Sequence, residues 1–167
     1  YACDRRGLGA CGQAGAGALS VSYAIRAARK ADAAEIALLV NVAVHGTMSR
    51  GWAHSKEAEG TYDPLEVGRM EMLTGKEFGW RSAAMAEADG EIAGMLLGYR
   101  KSDAREAVPA DVWAPLRPIE ELEAEAFGLW FISMLGVHKT WRSRGAGSAL
   151  LDYAEQQAGA TQAKGLG

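Results

Sequence analysis

The sequence predicts an α/β domain, and three features carry the prediction. Two apolar stretches flank Asp89-Gly90, a preferred two-residue hairpin turn, so residues 82–99 read as paired strands. Asp32 and Asp63 each stand before a helical pattern, as capping carboxylates do. Leu129–Val137 is apolar almost throughout, and the loop behind it opens another helical pattern at Gly145 and Gly147. The 167 residues amount to about one domain at roughly 150 residues each. With 49% hydrophobic and 23% charged residues, the body of the chain is expected to fold rather than stay disordered.

The elements follow in order. Tyr1–Ser20 holds five Gly and five Ala without apolar periodicity, so residues 1–20 read as a flexible tail before a domain over 21–167. The chain begins at Tyr1 and its first Met is Met48, so the tail reads as foreign to the domain. Tyr23–Ala28 alternates and reads as a short strand. Asp32 followed by Glu35 has capping-box spacing, and Ile36, Leu39, Val40 and Ala43 carry a helix to about Val44. Asp63-Pro64 starts a second helix, which should reach about Thr74 and stop at Gly75. Ser82–Ala88 and Glu91–Tyr99 form the hairpin. Arg100–Phe127 contains Pro109, Pro115, Pro118 and the acidic run to Glu125, and reads as a loop-rich insert with one or two helical turns. Leu129–Val137 has the composition of a central strand buried on both faces. Ser148–Gln157 is the last helix.

Composition removes several functions. Lys and Arg total 18 against 21 Asp and Glu, a net charge of −3, which is not the footprint of a general nucleic-acid binder. The runs Ile36–Val44 and Ala126–Val137 fall short of the roughly 20 apolar residues that cross a bilayer. Cys3 and Cys11 are confined to the tail, which argues against a disulfide framework or a cysteine zinc site and suits a reducing cytoplasm. His45, His54 and His138 are too scattered to suggest a metal. Arg5 and Arg6 lack the apolar segment that would make a signal peptide.

The chemistry concentrates at residues 135–148. A strand ends, a basic loop follows, and two glycines open a helix. The first turn of a helix leaves backbone N–H groups unpaired, and its dipole adds partial positive charge. Gly145 and Gly147 clear side chains from those groups, while Arg142 and Arg144 add charge-assisted hydrogen bonds. The result is either a phosphate site or a glycine-rich turn with solvated arginines. A Walker loop would need a Lys before Ser148, and a dinucleotide fingerprint would need Gly at Leu150.

Arg142-x-x-Gly145-x-Gly147, set directly after an apolar strand, resembles the signature of the GNAT superfamily of acyl-CoA N-acyltransferases. The preceding order of strand, two helices and hairpin matches as well. The resemblance covers about Tyr23 to the end, and Gly94–Tyr99 with Glu121–Val137 is similar to a bacterial branch. It implies a mixed central sheet flanked by helices. It also implies acetyl-CoA as co-substrate, an amine acceptor that attacks the thioester directly, and no metal. The loop Arg142, Ser143, Arg144, Gly145, Ala146, Gly147 and Ser148 would hold the pyrophosphate through backbone amides. Leu135, Gly136 and Val137 would pair with the pantetheine arm. The Leu135 backbone N–H would polarise the carbonyl, a donor typically worth about 10²–10³ in rate.

The resemblance also fixes what is missing. The family's general base is often a Glu on or near this strand, where this chain offers only Ser133, itself a poor base. Glu123 and Glu125 precede the strand, as bases or as a solvated acidic face. His138 serves the site or the surface; Trp52 and Trp130 line an acceptor pocket or fill the core. Family members continue with a fifth strand, a helix bearing a Tyr acid, and a final strand pair. The chain reads as incomplete at its C-terminus, with Ala158–Gly167 turning toward the fifth strand. Three readings follow: an N-acetyltransferase domain, a non-catalytic acyl-CoA binding or sensing module, and a fragment that completes itself on a partner, a homodimer included. For residues 1–167 alone the expectation is little turnover and self-association through the edge of Leu129–Val137.

Overall fold

The computed structural model describes residues 21–56 and 63–167. The expected tail and both cysteines lie outside the described residues. Strands β1 (Ala24–Ala27), β2 (Ala83–Ala88), β3 (Glu91–Arg100) and β4 (Trp130–Val137) form one sheet in chain order. Each is antiparallel to its neighbour. The four-stranded sheet is thus antiparallel throughout; beyond β4 an isolated parallel bridge joins Leu166 to Trp130, and Ile132 N donates to Gly167 O at 2.7 Å. The helices are α1 (Ala33–Ala43), α2 (Thr47–Lys56), α3 (Pro64–Thr74), α4 (Arg117–Ala124) and α5 (Ala146–Ala160). None of them is long and apolar enough to cross a membrane.

Two apolar layers sandwich the sheet. On one face Ile36, Leu39 and Val40 of α1 and Met72 of α3 close over Met85, Met95 and Leu97. On the other, Ala146, Leu150 and Ala154 of α5 cover Ala86, Leu96 and Trp130. At about 25 cal/mol per Å² removed from water, these layers supply the main drive to fold.

Local chemistry explains most boundaries. Asp89 and Gly90 both have positive φ, 53° and 80°, as a type I′ hairpin turn demands. Asp63 accepts from Leu65 N at 2.9 Å, with Pro64 at the first helical position. The insert contributes the two turns of α4. Helix α5 begins two residues earlier than expected and ends three later.

Three expectations change. Asp32 does not cap α1 through its side chain: it closes a 3₁₀ turn by accepting from Arg29 N at 2.6 Å and is gripped by Arg26 at 2.7 Å. The Arg26 hydrogen bonds hold its carboxyl below the usual aspartate range. Glu35, freed from the capping box, bonds His138 at 2.5 Å. Helix α2 has no local start signal because its first turn is capped from elsewhere, with Ser49 N donating to Asn41 Oδ1 at 2.9 Å. Strand β4 is not buried on both faces. It ends the four-stranded order, and most of its residues are only half-buried.

Gly136 sets how closely α1 approaches β4. A Cβ there would lie 2.7 Å from Leu39 O, a backbone atom that cannot rotate away. Gly136→Ala is therefore expected to destabilise the fold by about 1–3 kcal/mol. Urea denaturation beside the parent measures it, and an unchanged midpoint would place α1 farther from the strand.

Candidate active site

The site is organised by one irregularity. Leu97 pairs with Met134 but Gly98 pairs with Ile132, so Ser133 is an extra residue in β4, a β-bulge. Ser133 and Met134 consequently face the same side of the sheet, toward α1 and α3, whereas Ile132 and Leu135 face α5. The bulge also moves the hydrogen-bonding phase by one residue. His138 N donates to Ala93 O at 2.9 Å, so antiparallel alternation turns the Leu135 and Val137 backbone outward, away from β3. Residues 165–167 cover that outer edge only as far as Ile132. The Leu135 N–H has no protein partner among the described residues.

At the end of β4 the chain passes through a 3₁₀ turn, Lys139–Trp141, and enters α5. Trp141 is buried edge-on to Tyr23, whose hydroxyl donates to Arg144 O at 3.1 Å. These contacts fix the loop to β1 and α5. Ser143 and Gly145 have φ of 58° and 95°, left-handed conformations that turn successive N–H groups into a concave nest. No side chain caps α5. The first intrahelical bond is Ala149 N to Gly145 O at 3.0 Å, which leaves the N–H groups of Ala146, Gly147 and Ser148 without partners among the described residues. Gly147 is open: a Cβ there would meet only Val137 Cγ2, at 3.9 Å. Exposed Arg142 donates through Nε to Val137 O at 3.2 Å, and the Arg144 guanidinium lies 5.8 Å from the Trp141 ring centre.

On the bulge side lies a pocket of about 450 Å³. Ser133, Met134 and Tyr99 come from the sheet, Thr47 from α2, Glu71 from α3, Glu77 from the loop after it, and Glu120 and Glu123 from α4. Burial pushes the Glu71 carboxyl above its ordinary range, opposed by the hydrogen bond from Trp52 Nε1 at 2.6 Å. Burial raises Glu123 too, helped by the neighbouring Glu120 and opposed by Lys101. The Tyr99 phenol is driven up, first by burial and then by Glu123, Glu77 and Glu120. The site thus holds its protons tightly at one end and bare N–H groups at the other.

The sequence candidates separate accordingly. Leu135, Gly136, Val137 and the stretch Arg142–Ser148 form one continuous surface along the open edge and the helix start. Ser133 lines the pocket. Glu125 does not: it pairs with Arg105 at 2.7 Å on the outer surface. Its neighbour Glu123 is the one that turns inward. His138 ties the strand end to Glu35 of α1. Trp52 and Trp130 are core, packed against the positions of Gly68 and Gly98. Sequence reasoning missed Tyr99, Glu71 and Glu77, although Tyr99 directly follows the continuously buried residues 93–98 of β3, where a polar tip signals an exit from the core. Among the described residues no three His, Cys, Asp or Glu side chains group as metal ligands.

A family model described as the acetyltransferase (GNAT) family matches residues 48–166. The chain belongs to the GNAT acetyltransferase family. Solved GNAT-type structures share its architecture. An acetyltransferase crystal structure superposes with a TM-score of 0.56 at 22% identity, covering 84% of this chain and 77% of that one. An N-acetyltransferase from Staphylococcus aureus Mu50 gives 0.52 at 18% identity, over 86% and 80% of the two chains. The aminoglycoside N-acetyltransferase AAC(6')-Iy, solved with CoA, gives 0.50 at 16%, over 87% and 75%. No curated protein sequence matches the chain. At these identities the structural likeness speaks for the GNAT fold alone.

The two glycines of the GNAT loop have different physical jobs. Gly145→Ala forces a side chain into a left-handed conformation and should cost about 1 kcal/mol or more. Gly147→Ala meets open space inside a helix and should shift stability by under about 0.5 kcal/mol. Thermal melts of the two variants test this; equal losses would contradict the loop geometry.

Proposed function

We propose that this GNAT chain transfers an acetyl group from acetyl-CoA to a primary amine. The observation that carries the reading is the open edge of β4, which joins an unpaired amide nest at one end to a carboxylate-lined pocket at the other. The nest and Arg142 suit a pyrophosphate in charge, in donor direction and in the room that Gly147 leaves. The outward Leu135 and Val137 backbone suits an extended amide-bearing arm, which would pair as an added strand. Acetyl-CoA supplies the activated acyl group.

The residues of this chain then divide the work. The Leu135 N–H donates to the carbonyl oxygen as negative charge gathers there, pre-oriented and without reorganisation. Glu123, whose burial raises its proton affinity, accepts a proton from the acceptor ammonium and takes the role first considered for Glu125. The free amine attacks the carbonyl carbon. A C–N bond forms, the C–S bond breaks, and its electron pair leaves on sulfur. The nitrogen gives up one further proton and the thiolate gains one, so charge and atoms balance. Ser133 lines the path without acting as a base. The cysteine-free body suits a reducing compartment such as the cytoplasm.

Two measurements test the reading. Arg142→Ala should weaken acetyl-CoA binding by about 10- to 150-fold, equivalent to about 1.5–3 kcal/mol. Gly147→Leu should abolish binding while leaving the melting temperature nearly unchanged, since only a ligand competes for that space. Calorimetry showing parental affinity in both variants would remove the loop from the site. Free thiol should be released from acetyl-CoA only when an amine is added. Release that ignores the amine, or none across a broad amine panel, would favour a binding module.

A further inference from the structure

We infer that the acceptor is a compact aliphatic amine carrying at least two cationic nitrogens, held in the pocket beside Ser133. The inference rests on the transferase reading and gives it a substrate class.

The carboxylates of the pocket come from three separate segments: Glu71 on α3, Glu77 in the following loop, and Glu120 with Glu123 on α4. The Glu71–Glu77 pair and the Glu120–Glu123 pair are far apart in sequence and meet because the fold lines one pocket with both. Among the described residues neither Lys nor Arg lines this space. Among the described residues no cation forms an ion pair with any of the four, although Lys101, lying over the Tyr99 and Phe131 rings, draws weakly on Glu123. Glu77 is exposed, but Glu71, Glu120 and Glu123 are half-buried; such carboxylates without counter-ions are costly, and a cationic ligand removes that cost on entry.

Two charges fit better than one. Glu71 and Glu123 are both half-buried and stand on different elements, α3 and α4, so each of two ammonium groups can meet a carboxylate of its own. The remaining wall is made chiefly by Val44, Met48, Phe78, Leu116, Ile119 and Met134. Such a surface matches methylene groups between nitrogens. Apart from the carboxylates, the hydroxyl-bearing side chains among the described lining residues are Thr47, Tyr99 and Ser133. A carboxylate on the acceptor would face four like charges. The pocket's size, about 450 Å³, is that of a small-molecule site. Acetylation turns one ammonium into a neutral amide while the second nitrogen stays charged, so the product loses half of its hold and leaves.

The test uses the chain with acetyl-CoA and four acceptors: diaminobutane, butylamine, aminobutanoate and glucosamine. Thiol release gives kcat/KM, and calorimetry gives binding of each amine. Diaminobutane should exceed butylamine by at least about tenfold in both measures, as one added charge-assisted contact implies. Aminobutanoate should be the poorest of the four. Glu77→Gln and Glu120→Gln should each lower the ratio of diaminobutane to butylamine, by about three- to tenfold. Equal efficiency for butylamine, aminobutanoate or glucosamine would overturn the inference and leave the transferase reading standing. Diamine binding without acceptor-dependent thiol release would do the reverse. Absence of both binding and release would sink the two together.

Discussion

One extra residue in β4 determines how the rest of the site can work. Were Ser133 paired in regular register instead of bulged, Met134 would face α5 and the outward N–H would sit one residue earlier. With the bulge, two consecutive side chains turn into the pocket, and the Leu135 and Val137 backbone turns to the open edge. The same insertion therefore sets a pocket wall and an outward-facing backbone donor, and the two cannot drift apart because they share a peptide chain. Gly136 completes the constraint. Its missing side chain lets α1 lie against the strand, and the layer of Ile36, Leu39 and Val40 holds the strand rigid behind its free edge. Pre-organised donors depend on such backing, because an amide that must reorient at the moment of reaction gives up much of its electrostatic advantage.

Charge is sorted along that edge. Lys139, Arg142 and Arg144 surround the nest, while Glu71, Glu77, Glu120 and Glu123 surround the pocket, in a chain whose net charge is only −3. A global charge near neutrality hides two local fields of opposite sign. Fields of this kind guide oppositely charged partners to different ends before any contact is made, and salt weakens them. The placement also keeps the arginines from pairing with the pocket carboxylates, which would neutralise both halves.

What the sequence revealed follows physical range. The hairpin was legible because Asp89-Gly90 is a local conformational demand. The start of α3 was legible because Asp63 caps its own helix, and the amide nest because glycines adjoin a strand end. Helix α2 was hidden because Asn41, eight residues away, caps it. Asp32 misled because Arg26, six residues earlier on β1, and the Arg29 N–H outcompeted the helix terminus for its carboxylate. The pocket was legible only in part. Glu123 and Ser133 stood near the strand in sequence, but Glu71 and Glu77 reach it through tertiary packing. Glu125 against Glu123 was a question of phase on α4, and two residues on a helix point to different sides.

The borrowed cap on α2 has a consequence for the pocket wall. An element whose first turn is held by a neighbour has little helicity of its own, and Gly51 lowers it further. Tertiary contacts hold it instead: the Asn41 bond at one end, Met48 and Trp52 in the core layer, Trp52 wedged against Gly68 and bonded to Glu71, and His54 stacked on Trp113. Thr47 and Met48 travel with it, and they are part of the pocket wall. The shape of that wall therefore depends on how firmly Trp52 holds the helix, so a change at Trp52 or Gly68 would reach the pocket through Thr47 and Met48.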